Sequence, residues 1–146
     1  MEIFTENANE TKKFGREFSA FLKGGETICL SGDLGSGKTT FVQGLAKRFG
    51  IERIISPTFI LMRTYKIDDK YQKGGIKYLY HLDLYRLEGN ISEQLIDLGV
   101  DEIWEDPENV VLIEWAEKAK DVMPANVSWI NFEYIDEKKR KIIINK

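Results

Sequence analysis

Apolar residues recur along this chain at two different spacings, and each spacing predicts an element. Residues 2 to 5 suit a first short strand. Phe14, Phe18, Phe21 and Leu22 then lie on one helical stripe, which predicts a helix capped by Asn9 and ended at Gly24-Gly25. Glu26-Thr27-Ile28-Cys29-Leu30-Ser31 is short, apolar and β-branched, as a buried strand requires. Helical spacing returns in Phe41, Val42, Leu45, Ala46 and Phe49 and stops at Gly50. Two β-rich runs, Phe59 to Ile67 and Ile76 to Asp83, flank a polar turn with Asp68-Asp69-Lys70 and Gly74-Gly75, which predicts a hairpin. Ser92 opens a short helix through Leu95, Ile96 and Leu98 to Gly99. Asn109 to Glu114 is a near-continuous apolar strand ending in a carboxylate, and its composition suits the centre of a sheet. Trp129 to Tyr134 and Lys141 to Ile144 predict a last hairpin around a charged turn.

The segment between the first buried strand and the second helix carries the chemistry. It reads Gly32-Asp33-Leu34-Gly35-Ser36-Gly37-Lys38-Thr39, the G-x-x-x-x-G-K-[ST] pattern of a phosphate-binding loop, or Walker A motif. Glycines let the backbone wrap a polyphosphate with its N–H groups turned inward, and the helix amino end adds partial positive charge. Lys38 supplies a full charge, Thr39 places a hydroxyl where it can ligate Mg²⁺, and Thr40 can contact a phosphate oxygen. The four fixed positions arise by chance in roughly one chain in a few hundred of this length. The expected fold is therefore a single three-layer α/β domain of P-loop NTPase type over residues 1–146, with a mixed central sheet.

Composition narrows the classes. At 146 residues, with 42% hydrophobic and 12% aromatic residues, the chain can build one packed core. No apolar run approaches the roughly 18 residues of a membrane span, and the acidic amino terminus is unlike a signal peptide, so a soluble cytoplasmic protein without membrane contact is expected. Cys29 is the one cysteine, which excludes an internal disulfide; its place in a central strand suits core filling, and no disulfide-linked partner is expected. A net charge of −3 argues against holding nucleic acid unaided through a broad basic face. The basic cluster Lys138-Lys139-Arg140-Lys141 adjoins Asp136-Glu137 and reads as a solvated hairpin turn.

Further polar groups fall near strand ends. Glu114 follows an apolar strand as a Walker B acid does, and is either a Mg²⁺ ligand or an exposed strand-end carboxylate. In His81-Leu82-Asp83-Leu84-Tyr85-Arg86, alternation puts His81 and Asp83 on one face, with Tyr85 if extension continues. Asp83 suits orienting the attacking water or holding Mg²⁺ at one remove, while His81 suits fixing a neighbour or a purely structural place. Ser56 and Thr58 stand in Ser56-Pro57-Thr58-Phe59, either a loop that closes over the phosphates or an ordinary turn beside proline.

Taken together, Gly32 to Thr40, Ser56 to Phe59, His81 to Leu87 and Ile113-Glu114-Trp115 resemble the TsaE (YjeE-like) family over nearly the whole chain. The resemblance implies an ATPase serving bacterial synthesis of threonylcarbamoyladenosine in tRNA, using ATP/ADP and Mg²⁺. It implies TsaB and TsaD as partners that stimulate hydrolysis, with tRNA met only through that complex. Carried over by motif, Gly35, Ser36, Gly37, Lys38, Thr39 and Thr40 bind phosphates, and Thr39 and Glu114 hold Mg²⁺. Lys38, Asp83 and Glu114 form the hydrolytic set, Thr58 lies in a switch-like loop, and Trp115 lies near the nucleotide. Thr11 and Arg140 match family positions at the adenine end. The family usually has proline where Ala116 follows Trp115.

Three other readings use the same loop. A small-molecule kinase needs a lid bearing arginines, and no arginine-rich lid segment is evident. A GTPase needs an N-K-x-D motif, whereas the Asn-Lys pair here is Asn145-Lys146. In a nucleotide-gated binding module with little turnover, ATP would order the loop around Thr58 and create a docking surface; this reading differs in rate and partners.

Overall fold

The computed structural model describes residues 1–57, 60–72 and 74–145. Among them, seven strands form one sheet: β1 (Glu2–Thr5), β2 (Thr27–Ser31), β3 (Met62–Lys66), β4 (Tyr78–Asp83), β5 (Asn109–Glu114), β6 (Val127–Tyr134) and β7 (Arg140–Asn145). Their spatial order is β1-β7-β6-β2-β5-β4-β3. The middle is parallel, with β2 between β5 and β6 and β4 beside β5. The flanks are antiparallel: β3 on β4, and β7 between β6 and β1. This is the mixed sheet that the sequence predicts, with both expected hairpins formed: β3–β4 at one edge, and β6–β7 with β1 added outside it at the other.

Helices cover both faces, which is why β5 is buried along its whole length. On one face, α1 (Ala8–Ser19) and α2 (Lys38–Lys47) bring Phe14, Phe41, Val42 and Leu45 onto Ile28, Leu30, Val110, Leu112 and Phe132. On the other, Leu95 of α3 (Ile91–Asp97) and Val100, Ala116 and Ala119 of two 3₁₀ segments pack on Cys29, Leu82, Val111 and Ile113. The three expected layers are thus formed.

Strand alternation then aims the polar groups. Val110 and Leu112 face the α1–α2 layer, so Glu114, two residues on, ends the same row; Leu79 likewise sends His81 and Asp83 to that side. The two helices of this layer touch backbone to backbone. A Cβ on Gly44 of α2 would stand 2.0 Å from the carbonyl oxygen of Lys12 in α1, so only glycine permits this approach.

Three local expectations are corrected. The cap of α1 is Asn7, whose side chain accepts from Glu10 N at 2.9 Å, and Asn9 lies inside the first turn. Three residues after Asn7 stands Glu10, favoured at a helix amino end, whereas three after Asn9 stands the cation Lys12. The same logic starts α3 at Ile91, one residue before the expected Ser92: the cap is Asn90, whose side chain accepts from Glu93 N at 3.1 Å. Helix α1 ends at Ser19, so Phe21 leaves the apolar stripe and is 79% exposed.

Candidate functional site

The phosphate-binding loop joins the end of β2 to the start of α2. Gly37 occupies the cap of α2 with φ 106°, a conformation that side chains other than glycine's rarely adopt, and its carbonyl accepts from Phe41 N. This turn lets the first amides of α2 face a cavity of about 220 Å³. Leu34, Gly35, Gly37, Lys38, Thr39 and Thr40 line one side of it, and Ser56, Asp83, Glu114, Trp115 and Arg140 line the rest. The hydroxyl of Ser36 is buried beneath the loop, close to Gly32.

Lys38 is buried, donates to the carbonyl of Gly32, and lies 4.0 Å from the centre of the Trp115 ring. Burial pushes its ammonium below the ordinary lysine range, and the nearby carboxylates of Glu114, Glu117, Asp83 and Asp33 oppose that shift. Trp115 is the residue after β5. It turns the chain with left-handed φ 59° and ψ 35°, donates its backbone N–H to Leu30, and packs its ring 5.0 Å from that of Tyr85.

The two carboxylates stand side by side on adjacent parallel strands, because the register pairs Asp83 with Glu114. Both are nearly inaccessible, at 5% and 4% exposure, so Glu114 is not an exposed strand-end acid. Asp83 accepts the Tyr85 backbone N–H at 2.9 Å, which ends the strand there and takes Tyr85 out of the polar row. Glu114 Oε2 lies 2.6 Å from His81 Nε2.

Thr11 and Arg140 come from distant parts of the chain and meet at the loop. A Cβ on Gly37 would lie 3.7 Å from both the Thr11 methyl and the Arg140 side chain. The Thr11 hydroxyl is shared with Thr5 at 2.8 Å, and Arg140 donates to the Gly35 carbonyl at 3.0 Å with its guanidinium 4.7 Å from the Tyr134 ring centre. The expectation for Thr58 falls outside the described residues. Sequence reading did not single out Leu34 in the wall, nor the Gly32 carbonyl as partner of Lys38, nor the Tyr85–Trp115 ring contact.

The oxygen donors gathered here suit a hard cation. Among the described residues no group of three histidine, cysteine or acidic side chains could hold a metal alone. Mg²⁺ asks for less, since it takes one or two carboxylates with hydroxyl, water and substrate phosphate oxygens, and Thr39, Asp83 and Glu114 offer that set. A larger groove of about 860 Å³ runs between α1 and the β1–β7–β6 edge, but Ile3, Phe14, Phe18, Phe21 and Ile28 make it chiefly apolar and it lacks the loop amides. No helix among the described residues is long and apolar enough to cross a membrane.

Residues 5–142 match the sequence profile of the family described as threonylcarbamoyl adenosine biosynthesis protein TsaE. The tRNA threonylcarbamoyladenosine biosynthesis protein TsaE of Bacillus subtilis is 37% identical over 94% of this chain and 80% of its own length. The protein of the same description from Aquifex aeolicus is 36% identical over 98% of this chain and 94% of its own. Among solved structures, the crystal structure of Bacillus subtilis YdiB superposes with a TM-score of 0.74 at 33% identity, covering 97% of this chain and 82% of that one.

Proposed function

This chain belongs to the TsaE family of tRNA threonylcarbamoyladenosine biosynthesis, and we propose that it serves that pathway as a Mg²⁺-dependent ATPase stimulated by TsaB and TsaD. The observation that carries the reading is the convergence of Lys38, Thr39, Asp83 and Glu114 on one cavity at the amino end of α2. Glycine-loop amides and the helix amino end bind the polyphosphate, and Lys38 shifts from the Gly32 carbonyl to the terminal phosphates. Thr39 and Glu114 hold Mg²⁺, which when bound neutralises charge building on the phosphate oxygens. Asp83, beside Glu114, orients the attacking water. Thr11 and Arg140 flank the loop where the nucleoside end leaves it.

Access to tRNA runs through the partners, in the cytoplasm. Supporting this, the basic turn is partly neutralised from within: Lys139 pairs with Glu6 at 3.6 Å, and Lys141 with Glu2 at 3.4 Å and Glu133 at 3.9 Å. The test is steady-state hydrolysis of Mg²⁺-ATP by this chain alone and with its TsaB and TsaD counterparts, with Lys38→Ala as blank. Slow turnover alone and a large rise with partners are expected. An unchanged rate in a complex that co-elutes overturns partner stimulation, in favour of a nucleotide-gated module or a kinase with an acceptor still to be found.

A further inference from the structure

His81 and Glu114 make a side-chain contact across adjacent parallel strands. The register sets Asp83 beside Glu114 and His81 beside Leu112, so the imidazole reaches forward along the sheet to bring Nε2 within 2.6 Å of Oε2. Both side chains are out of water, at 0% and 5% exposure. A carboxylate so buried needs a donor, and this one has an imidazole.

The other ring nitrogen settles which way the proton points. His81 Nδ1 is buried and has no hydrogen-bond partner among the described residues. A buried N–H without an acceptor is costlier than a lone pair without a donor, so the proton belongs on Nε2, donated to Glu114. Donated from Nε2, this hydrogen bond fixes the carboxylate. With Oε2 tied to His81, Oε1 is the oxygen that remains for the cavity.

We propose that His81 is a positioning residue for the cation site: it locks the rotamer of Glu114 so that one carboxylate oxygen faces the cation beside Thr39. This rests on the Mg²⁺ role assigned to Glu114 above. Hydrogen-bonding partners behind metal ligands typically contribute 10–100-fold to metal affinity, and the effect here is expected in that range.

The test is equilibrium binding of a non-hydrolysable ATP analogue to the full chain by calorimetry, in excess EDTA and across a Mg²⁺ titration, for wild type, His81→Leu and His81→Gln. In EDTA the three are expected to bind alike, because the loop amides and Lys38 remain. The Mg²⁺ concentration for half-maximal gain in affinity is expected to rise about tenfold or more in His81→Leu and to return toward wild type in His81→Gln, whose amide N–H replaces the donor. If His81→Leu does not fold, His81→Asn, with an amide too short to reach Glu114, is expected to show the same rise. An unchanged Mg²⁺ requirement in these variants overturns the positioning role. So does an equal loss of affinity in EDTA that glutamine leaves unrepaired, since that marks a packing residue. A wild type whose affinity ignores Mg²⁺ overturns the role of Glu114 itself, and the inference with it.

Discussion

The ammonium of Lys38 sits 4.0 Å from the centre of the Trp115 ring while donating to the carbonyl of Gly32. The lysine expected to meet phosphate is thus held by two groups of its own protein, one on the loop and one just past β5. Incoming polyphosphate has to draw it away from the indole. Trp115 is accordingly expected to change its emission when Mg²⁺-ATP binds. Titrating nucleotide into wild type and into Trp115→Phe checks this; Trp104 and Trp129 line no part of the cavity, so the phenylalanine variant should lose most of the signal.

Lys38→Ala is expected to weaken ATP binding roughly tenfold to a hundredfold, the loss of a charge-assisted contact of about 1.5–3 kcal/mol. Calorimetric titration measures it directly. Equal affinity in the variant contradicts the assignment of Lys38 to the phosphates.

For Glu114→Ala, hydrolysis should fall by about 100-fold or more while nucleotide binding without Mg²⁺ persists, because loop amides and Lys38 are untouched. Phosphate release and nucleotide affinity, measured on one preparation, separate the two effects. Turnover at the wild-type rate would exclude Glu114 as an essential ligand.

Gly44→Ala reverses an ordinary rule. Alanine inside a helix usually stabilises by about 0.5–1 kcal/mol relative to glycine. Here the added methyl meets the Lys12 carbonyl at 2.0 Å and pushes α1 off α2, with an expected net loss of about 1–3 kcal/mol. Thermal and urea unfolding should both show the decrease.

Burial pushes the Cys29 thiol from 9.0 up to about 12, with Glu117 adding to the shift. Because the folded value lies above the unfolded one, its contribution to stability is full below pH 9 and is lost as pH rises from there toward 12. At pH 8 the native thiol should therefore ignore a disulfide reagent that labels the unfolded chain quickly. Rapid native labelling would place Cys29 nearer the surface than its 0% exposure allows.

Much of this was legible because it is local. The loop from Gly32 to Thr39 declares itself in consecutive residues, and the buried strands before it and at Asn109 to Glu114 declare themselves by unbroken apolar composition. The row of His81 and Asp83 followed from alternation alone. Register did not: whether His81 served its own strand or Glu114 depended on how β4 lies against β5, a relation between residues 33 positions apart. The cap at Asn7 shows a different limit, since two asparagines compete there and the charge three residues later decides between them. Thr11 reaches the loop on α1 and Arg140 on β7, and no local pattern could have joined them.

The pairing of β1 with β7 therefore sets a timetable. Thr5, the partner of the Thr11 hydroxyl, lies opposite Arg140 in that ladder, and Arg140 reaches a carbonyl 105 residues earlier in the chain. On the ribosome the phosphate loop emerges long before the strand that completes its flank. A nascent chain halted ahead of β7 would own the glycines, the lysine and Thr11 yet lack Arg140, so this flank of the loop is completed late in synthesis.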